Sequence, residues 1–407
     1  MVRSGQADLP LHGGRVPAWL YERMGRLGGA IVEAIVQEFG KDAFLSRISD
    51  PFWFQSLGCV MGMDWHSSGI TTSVLGALKS AVNPISHELG IYFCGGRGKH
   101  SRKTPSELIN IGYKTGLDGE KLASQSRLTA KIDNTAIQDG YQIYLHTFIL
   151  SREGTWSVIQ QGMNVGSGYA RRYHWHSAYI KSFVEEPHTA ICGKPQGKIL
   201  NLTDRYAEKT RQGLITISRE NPNRIMKEIR KMRMPLHHDV RSENVNLKRL
   251  GSVLALAYSH QAQDFESLLL TEGLGPRTLQ SLTLLSELIY GTPSRFRDPA
   301  RFSFAHGGKD GHPFPVPTKI YDESIRILRH SVEKARIGNS DKRKAIHKLH
   351  QISMNIEKEF HPAADLSPII QQERNNSSRW GGRVVFGGSR SRDGNEKRIY
   401  SRQLSLF

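Results

Sequence analysis

The chain has 407 residues, of which 38% are hydrophobic, enough for two or three domains around at least one sizeable core and too many for a disordered chain. Lysine and arginine number 56 against 38 acidic residues, a net charge of +18, which points to a polyanionic partner. Nucleic acid is favoured over a membrane, because the basic residues recur through segments that read as folded and no run is long and apolar enough for a transmembrane helix. Met1 to Pro10 lacks the apolar core of a signal peptide. Cys59, Cys94 and Cys192 are too scattered for a disulfide framework or a zinc ribbon, so a cytoplasmic, nucleoid-associated location is expected.

Residues 1–215 mix helix and strand signals, predicting an α+β or mixed α/β domain. Pro17 sits where a first helical turn tolerates proline. Leu20, Leu27, Ile31, Ile35 and Phe39 follow near helical spacing until Gly40 stops the run. Asp50-Pro51 predicts a second helix start ahead of Phe52, Trp53 and Leu57, and Ile70, Val74, Leu78 and Val82 make a third stripe. The period then changes: Tyr141 to Leu150 and Trp156 to Gln160 read as two strands joined by a turn at Arg152 to Thr155. Residues 216–262 read as a basic helical connector, where Arg224, Lys227, Arg230, Lys231 and Arg233 are opposed only by Glu228. A solvated helix face and a phosphate-contacting face are equal readings of that run. Residues 263–292 read as helix, tight turn, helix; 293–318 as a Pro/Gly-rich loop; and 319–362 as a pair of helices. From 363 to 407 Gln, Asn, Ser, Gly and Arg dominate, the composition of a disordered, flexible tail.

The turn Gly273-Leu274-Gly275-Pro276-Arg277-Thr278 lies between two apolar helical stripes, in an all-α region. It resembles the helix-hairpin-helix module of DNA repair and recombination proteins, and the resemblance implies DNA binding. Glycines let a phosphate approach the backbone, amides at the start of the second helix face the anion, and Arg277 adds a charge. Such contacts grip the DNA backbone without reading sequence. Leu279 departs from the alanine common in that module, and any αα-hairpin with a Gly-rich turn shares the outline.

A second basic candidate is the loop 95–105, where Arg97, Lys99, Arg102 and Lys103 stand among glycines with no acid. It suits a phosphate but lacks the glycine–lysine–hydroxyl ending of a nucleotide P-loop, so ATP hydrolysis is not supported. Arg171-Arg172-Tyr173-His174-Trp175 interleaves charge with aromatic faces, as single-strand stacking sites do, and equally suits a strand with a basic edge. For catalysis, Asp133 is expected at a strand end and Asp139 before the next strand, with Gln160 and Gln161 ending the returning strand. Folded together, these are candidates to gather around Mg2+ or Mn2+, with Asp133 and Asp139 as the metal ligands. The layout resembles restriction-like nucleases but has Gln160-Gln161 where an acid-x-lysine is expected. Asp133-Asn134 and Asp139-Gly140 are also ordinary turn pairs. His66, His146, His174, His176 and His188 are further candidates for activating water or holding a metal, and His174 and His176 would share one strand face.

The segments Asp8-Leu9-Pro10-Leu11-His12-Gly13-Gly14, Asp64-Trp65-His66-Ser67-Ser68-Gly69, Gly95 to Pro105, Gln160-Gln161-Gly162-Met163-Asn164 and Phe304-Ala305-His306-Gly307-Gly308-Lys309-Asp310-Gly311 together resemble a prokaryotic family known as domain of unknown function 763. The resemblance covers residues 1 to about 360 and leans toward a structure-selective DNA nuclease. Beyond it, Gln403-Leu404-Ser405-Leu406-Phe407 resembles the peptide by which bacterial polymerases and repair factors dock on the DNA sliding clamp. In an extended peptide Leu404, Leu406 and Phe407 suit apolar pockets, and the Gln403 amide suits a register-fixing hydrogen bond. The leading expectation is a DNA-binding protein of replication-associated repair: a metal-dependent, structure-selective nuclease recruited to the clamp. A non-catalytic DNA-binding adaptor at the clamp is the alternative. A base-excision glycosylase is weaker, because Asp298 in Arg297-Asp298-Pro299 lacks the apolar approach expected there.

Overall fold

In the computed structural model, which describes residues 16–63, 68–229, 247–300, 318–335 and 337–359, the chain opens with a helical layer. Helix α1 (Ala18–Phe39) begins after Pro17 and ends at Gly40, whose φ of 86° lies where only glycine is at ease. Helix α2 (Lys41–Ser49) runs into Asp50, whose carboxylate accepts from the amides of Phe52 and Trp53 and so caps α3 (Pro51–Val60). Helices α4 (Gly69–Val82) and α5 (Ser86–Leu89) complete the layer.

The sheet follows. Strand β1 (Ile91–Arg97) passes through a 3-10 turn (Gly98–Lys103) into α6 (Thr104–Thr115) and α7 (Gly119–Lys131), and α7 ends in a single π turn, Ile132–Ala136. Strands β2 (Gln142–Ser151), β3 (Trp156–Asn164), β4 (Tyr169–His176) and β5 (Ala190–Cys192) then form an antiparallel sheet with β1 in the order β1-β2-β3-β4-β5. The predicted β2–β3 hairpin is present. β3 continues past Gln160-Gln161 to Asn164, so the glutamines lie inside the strand. Asp133, expected at a strand end, sits in the π turn.

Alternation along each strand sends apolar side chains to both faces of the sheet. Ile91, Phe93, Leu145, Ile149 and Ile159 pack with α1–α4, while Tyr92, Cys94, Phe148, Leu150, Val158 and Trp175 pack on the other face. That second face is covered by α6, α7, α8 (Glu208–Ser218), α11 (Phe265–Leu270) and α12 (Pro276–Tyr290), with α9 (Pro222–Ile229) and α10 (Leu247–His260) between α8 and α11 in the chain. Helix α13 (Thr318–Lys334) packs on α1 and α3 and is followed by α14 (Asn339–Glu359).

Residues 1–355 form one compact unit; of the second, residues 356–407, only the end of α14 is described. The expected boundary at 215 falls inside α8, and Leu279 and Leu282 of α12 share a core with Phe148 and Trp175 of the sheet. The described start of the expected Pro/Gly-rich loop is tied down as well: the amide of Asn201 donates to the carbonyl of Arg295. Among the described residues, no helix is long and apolar enough to cross a membrane.

Candidate functional site

Strand alternation decides where the candidate catalytic residues go. Gln160 and Gln161 are neighbours on β3 and therefore point to opposite faces. The Gln160 amide donates to Asp133 Oδ2 at 2.5 Å, whereas the Gln161 amide donates to the carbonyl of Ser68 and the hydroxyl of Tyr144. The expectation that both glutamines gather at one centre is corrected by this geometry.

Asp133 is the hub of a buried polar chain. Its Oδ2 also accepts from Trp175 Nε1 at 2.9 Å, and its Oδ1 pairs with His188 Nε2 at 2.5 Å. Because the Gln160 amide nitrogen faces Asp133, the amide oxygen faces His146 Nδ1 at 2.9 Å and accepts its proton. His146 Nε2 is then left as acceptor for the hydroxyl of Ser126 at 2.8 Å. The order is Ser126, His146, Gln160, Asp133, His188, each with a defined donor and acceptor. Burial raises the Asp133 carboxyl above its usual range, against the pull of His188. Burial likewise pushes His146 down to about 4, so its imidazole is neutral at pH 7. His188, with 6% of its side chain exposed, is the member nearest solvent. It follows Pro187 and Glu186, whose φ of 43° is a left-handed value unusual for glutamate.

Asp139 belongs to a different set. Its carboxylate accepts from the Tyr141 amide, the Tyr173 hydroxyl at 2.6 Å and Arg171 Nη1 at 2.9 Å. Arg171 in turn grips Asp298 with both Nη atoms, at 3.0 and 2.7 Å, and donates to the carbonyl of Lys194. The two candidate metal ligands thus have separate partners. Every carboxylate oxygen already accepts from an N–H or O–H, and a guanidinium beside Asp139 opposes a second cation. These residues do not fit a Mg2+ or Mn2+ cage. Among the described residues, no group of three or more His, Cys, Asp or Glu gathers as metal ligands.

Arg171 and Arg172, expected to touch DNA, are both 0% exposed. Arg171 points to the Asp139 face. Arg172 points to the other, where it meets Gln55, Thr71 and His174 at 2.9, 3.4 and 2.8 Å. A guanidinium enclosed in this way cannot reach a phosphate, so a scaffolding role replaces the expected contact. His174 and His176 do share the Arg172 face and are buried there; His66 lies outside the described residues.

The remaining basic candidates are on the surface. Arg97, Lys99, Arg102 and Lys103 are exposed, and none has an ion pair among the described residues. The base of their loop is fixed from below: Glu107 accepts from the Gly95 amide and from Lys79 Nζ, both at 2.7 Å, and Lys79 also donates to the Gly95 carbonyl. Gly95 has a φ of 83°, and a side chain there would collide with the carbonyl of His146 and the hydroxyl of Thr104.

In the 273–278 turn, Gly273 takes a φ of 76°, Leu274 is buried as a plug, and Pro276 and Arg277 are exposed. Helix α12 starts after Gly275 with no side-chain cap and no acid in its first turn. Lys131 Nζ donates to the Leu274 carbonyl at 2.6 Å, and Gln138 to that of Pro276 at 2.8 Å, which seats the turn beside the chain entering β2. Arg97, at the end of β1, pairs with Leu145 near the start of β2, so the basic loop and the helix-joining turn lie at the same end of the sheet. Residues 403–407 lie outside the described residues, as do Arg230, Lys231 and Arg233.

The fold and these sites define a mixed α/β protein with an antiparallel five-stranded sheet between helices and a basic sheet end. The chain belongs to the family described as Protein of unknown function (DUF763), whose model matches residues 5–316. No curated protein and no solved structure matches it.

Proposed function

We propose that this chain binds DNA through the end of the sheet where β1 finishes and β2 begins. The observation that carries this reading is the co-location, at that end, of the exposed Arg97–Lys103 loop and the uncapped α12 start with Arg277. Both suit phosphate oxygens: one supplies exposed cationic side chains, the other backbone amides at a helix N-terminus. The turn is read as a helix-hairpin-helix contact to the duplex backbone. Glu272 is the exposed acid that the turn brings with it, and six or so phosphate contacts would outweigh it. The Gln403–Phe407 peptide supplies a second attachment, to the bacterial sliding clamp.

Fluorescence anisotropy with labelled DNA across a salt series tests the reading. Wild type is expected to bind with a steep salt dependence, and the Arg102→Glu, Lys103→Glu double variant to bind more weakly with a shallower slope. Equal affinity and slope in both proteins would remove the loop from the interface.

A hydrolytic activity is a second reading, favoured by the chain from Ser126 to His188, whose hub is a buried carboxylate paired with His188, two residues after Glu186 and its left-handed backbone. A panel of branched, flapped and bubbled DNA, with Mg2+, Mn2+ or chelator, tests it. Cleavage lost in Asp133→Asn with DNA binding retained supports an enzyme; binding without cleavage under every condition supports the adaptor.

A further inference from the structure

The basic end of the sheet does not stop at β2. In an antiparallel sheet, the end that holds the finish of β1 and the start of β2 also holds the finish of β3, the start of β4 and the finish of β5. At the far side of that end, Lys194 and Lys198 follow β5 and are exposed, with no ion pair among the described residues. Lys194 Nζ lies 5.1 Å from the ring centroid of Tyr169, the first residue of β4. At the near side the Arg97 guanidinium lies 5.9 Å from the ring centroid of Tyr144 on β2, which packs on the α1–α4 face with Gln161, whereas Tyr169 shares the Arg171 face, so the two pairs flank the sheet end from opposite faces. Both tyrosines are half-buried, so neither is fully enclosed.

Resting on the DNA-binding reading above, we infer that this sheet end is a track for a single DNA strand, crossing the strand ends from the Arg97–Tyr144 pair on one face to the Lys194–Tyr169 pair on the other. Five strands at roughly 4.8 Å spacing put about 19 Å between the two sides, a span on the order of a few nucleotides. Unpaired bases present π faces that a duplex conceals, and a cation beside a tyrosine serves a phosphate and a base at once. Ion pairs, half-buried at Lys79–Glu107 and fully buried at Arg171, give the track its stiffness. Lys79–Glu107 fixes the base of the Arg97 loop, and Arg171 holds the Lys194 loop through its carbonyl while Asp298 accepts from the Gln196 amide. Loops already held in place lose little freedom on binding.

The test compares affinity for a 5′-labelled oligothymidylate and for a duplex of equal length across a salt series. The proteins are wild type, Lys194→Glu with Lys198→Glu, Tyr169→Ala, and Arg102→Glu with Lys103→Glu, each checked for wild-type thermal unfolding. The Lys194/Lys198 variant is expected to bind the single strand on the order of tenfold more weakly, its salt slope reduced by about 1.4 for two lost phosphate contacts. Tyr169→Ala is expected to lose about tenfold for the single strand and to leave the duplex unaffected. If the Lys194/Lys198 variant binds like wild type while the Arg102/Lys103 variant is weakened, the track is overturned and the DNA-binding reading stands. Equal losses for duplex and single strand, with Tyr169→Ala silent, also overturn it. If no variant changes binding, both fall. Should Tyr169→Ala not fold, the lysine variant decides alone.

Discussion

Gln160 and Asp133 meet at 2.5 Å across 27 residues, and this contact joins the middle of β3 to the π turn that ends α7. The amide donates to the carboxylate and accepts from His146, so one side chain fixes which ring nitrogen of His146 carries the proton. Its neighbour Gln161 faces the other helical layer, where its amide oxygen has no partner among the described residues.

That difference gives the first prediction. Gln160→Leu leaves His146 Nδ1–H and one carboxylate interaction unmet inside the core, at a cost of about 2–3 kcal/mol. Gln161→Leu removes two donated bonds but also buries one fewer unsatisfied oxygen, so the loss is smaller, about 1 kcal/mol. Urea unfolding of the two variants checks the ranking, and equal midpoints would contradict it.

His146 gives a pH prediction. Its pKa is pushed down to about 4 in the folded protein, while an unfolded histidine titrates near 6.5. Between these values the unfolded chain takes up a proton that the native state refuses. Stability from this group is therefore complete above about pH 6.5 and lost as pH falls toward 4, by about 3 kcal/mol in all. His146→Gln is expected to flatten that part of the curve of melting temperature against pH.

Much of this architecture was legible in the sequence. Pro17, Gly40, Asp50-Pro51 and the turn at Arg152 to Thr155 carry local signals, and the elements begin or end there. Of the four residues expected to gather, Asp133 and Gln160 meet, while Asp139 and Gln161 have other partners. What local signals could not supply was the facing of each side chain. Arg171 and Arg172 read as a basic edge, but β4 has helices on both faces, and each guanidinium finds its partners in distant segments such as Asp298 and Gln55. His188 was one histidine among several, because its partner lies 55 residues away. Lys194 and Tyr169 carry no motif at all; their pairing depends on the β4–β5 register.

The proposed clamp-docking role of Gln403–Phe407 yields its own prediction. Deleting Gln403 to Phe407 is expected to abolish binding to a purified bacterial sliding clamp in surface plasmon resonance, with affinity for free DNA unchanged. Retained clamp binding would separate the peptide from that role.

The Arg171 cluster gives the last prediction. Its guanidinium is fully enclosed and shared between Asp139, from the approach to β2, and Asp298, from the segment after α12. Burial opposes the charge, and the two carboxylates outweigh that penalty; the Tyr141 ring, 4.8 Å from the guanidinium carbon, and the Lys194 carbonyl complete the enclosure. Arg171→Met removes the cation and leaves two carboxylates without it, so a loss of about 3–5 kcal/mol is expected. Arg171→Lys should rescue little, since one ammonium cannot reproduce the two-pronged grip on Asp298 together with the bonds to Asp139 and Lys194. Asp298→Asn is the discriminating control: it keeps a partner of the same shape for Arg171 and is expected to cost less than Arg171→Met. Chemical denaturation ranks the three. If Arg171→Lys proves as stable as wild type, the fork geometry is not what holds the 292–300 segment to the sheet.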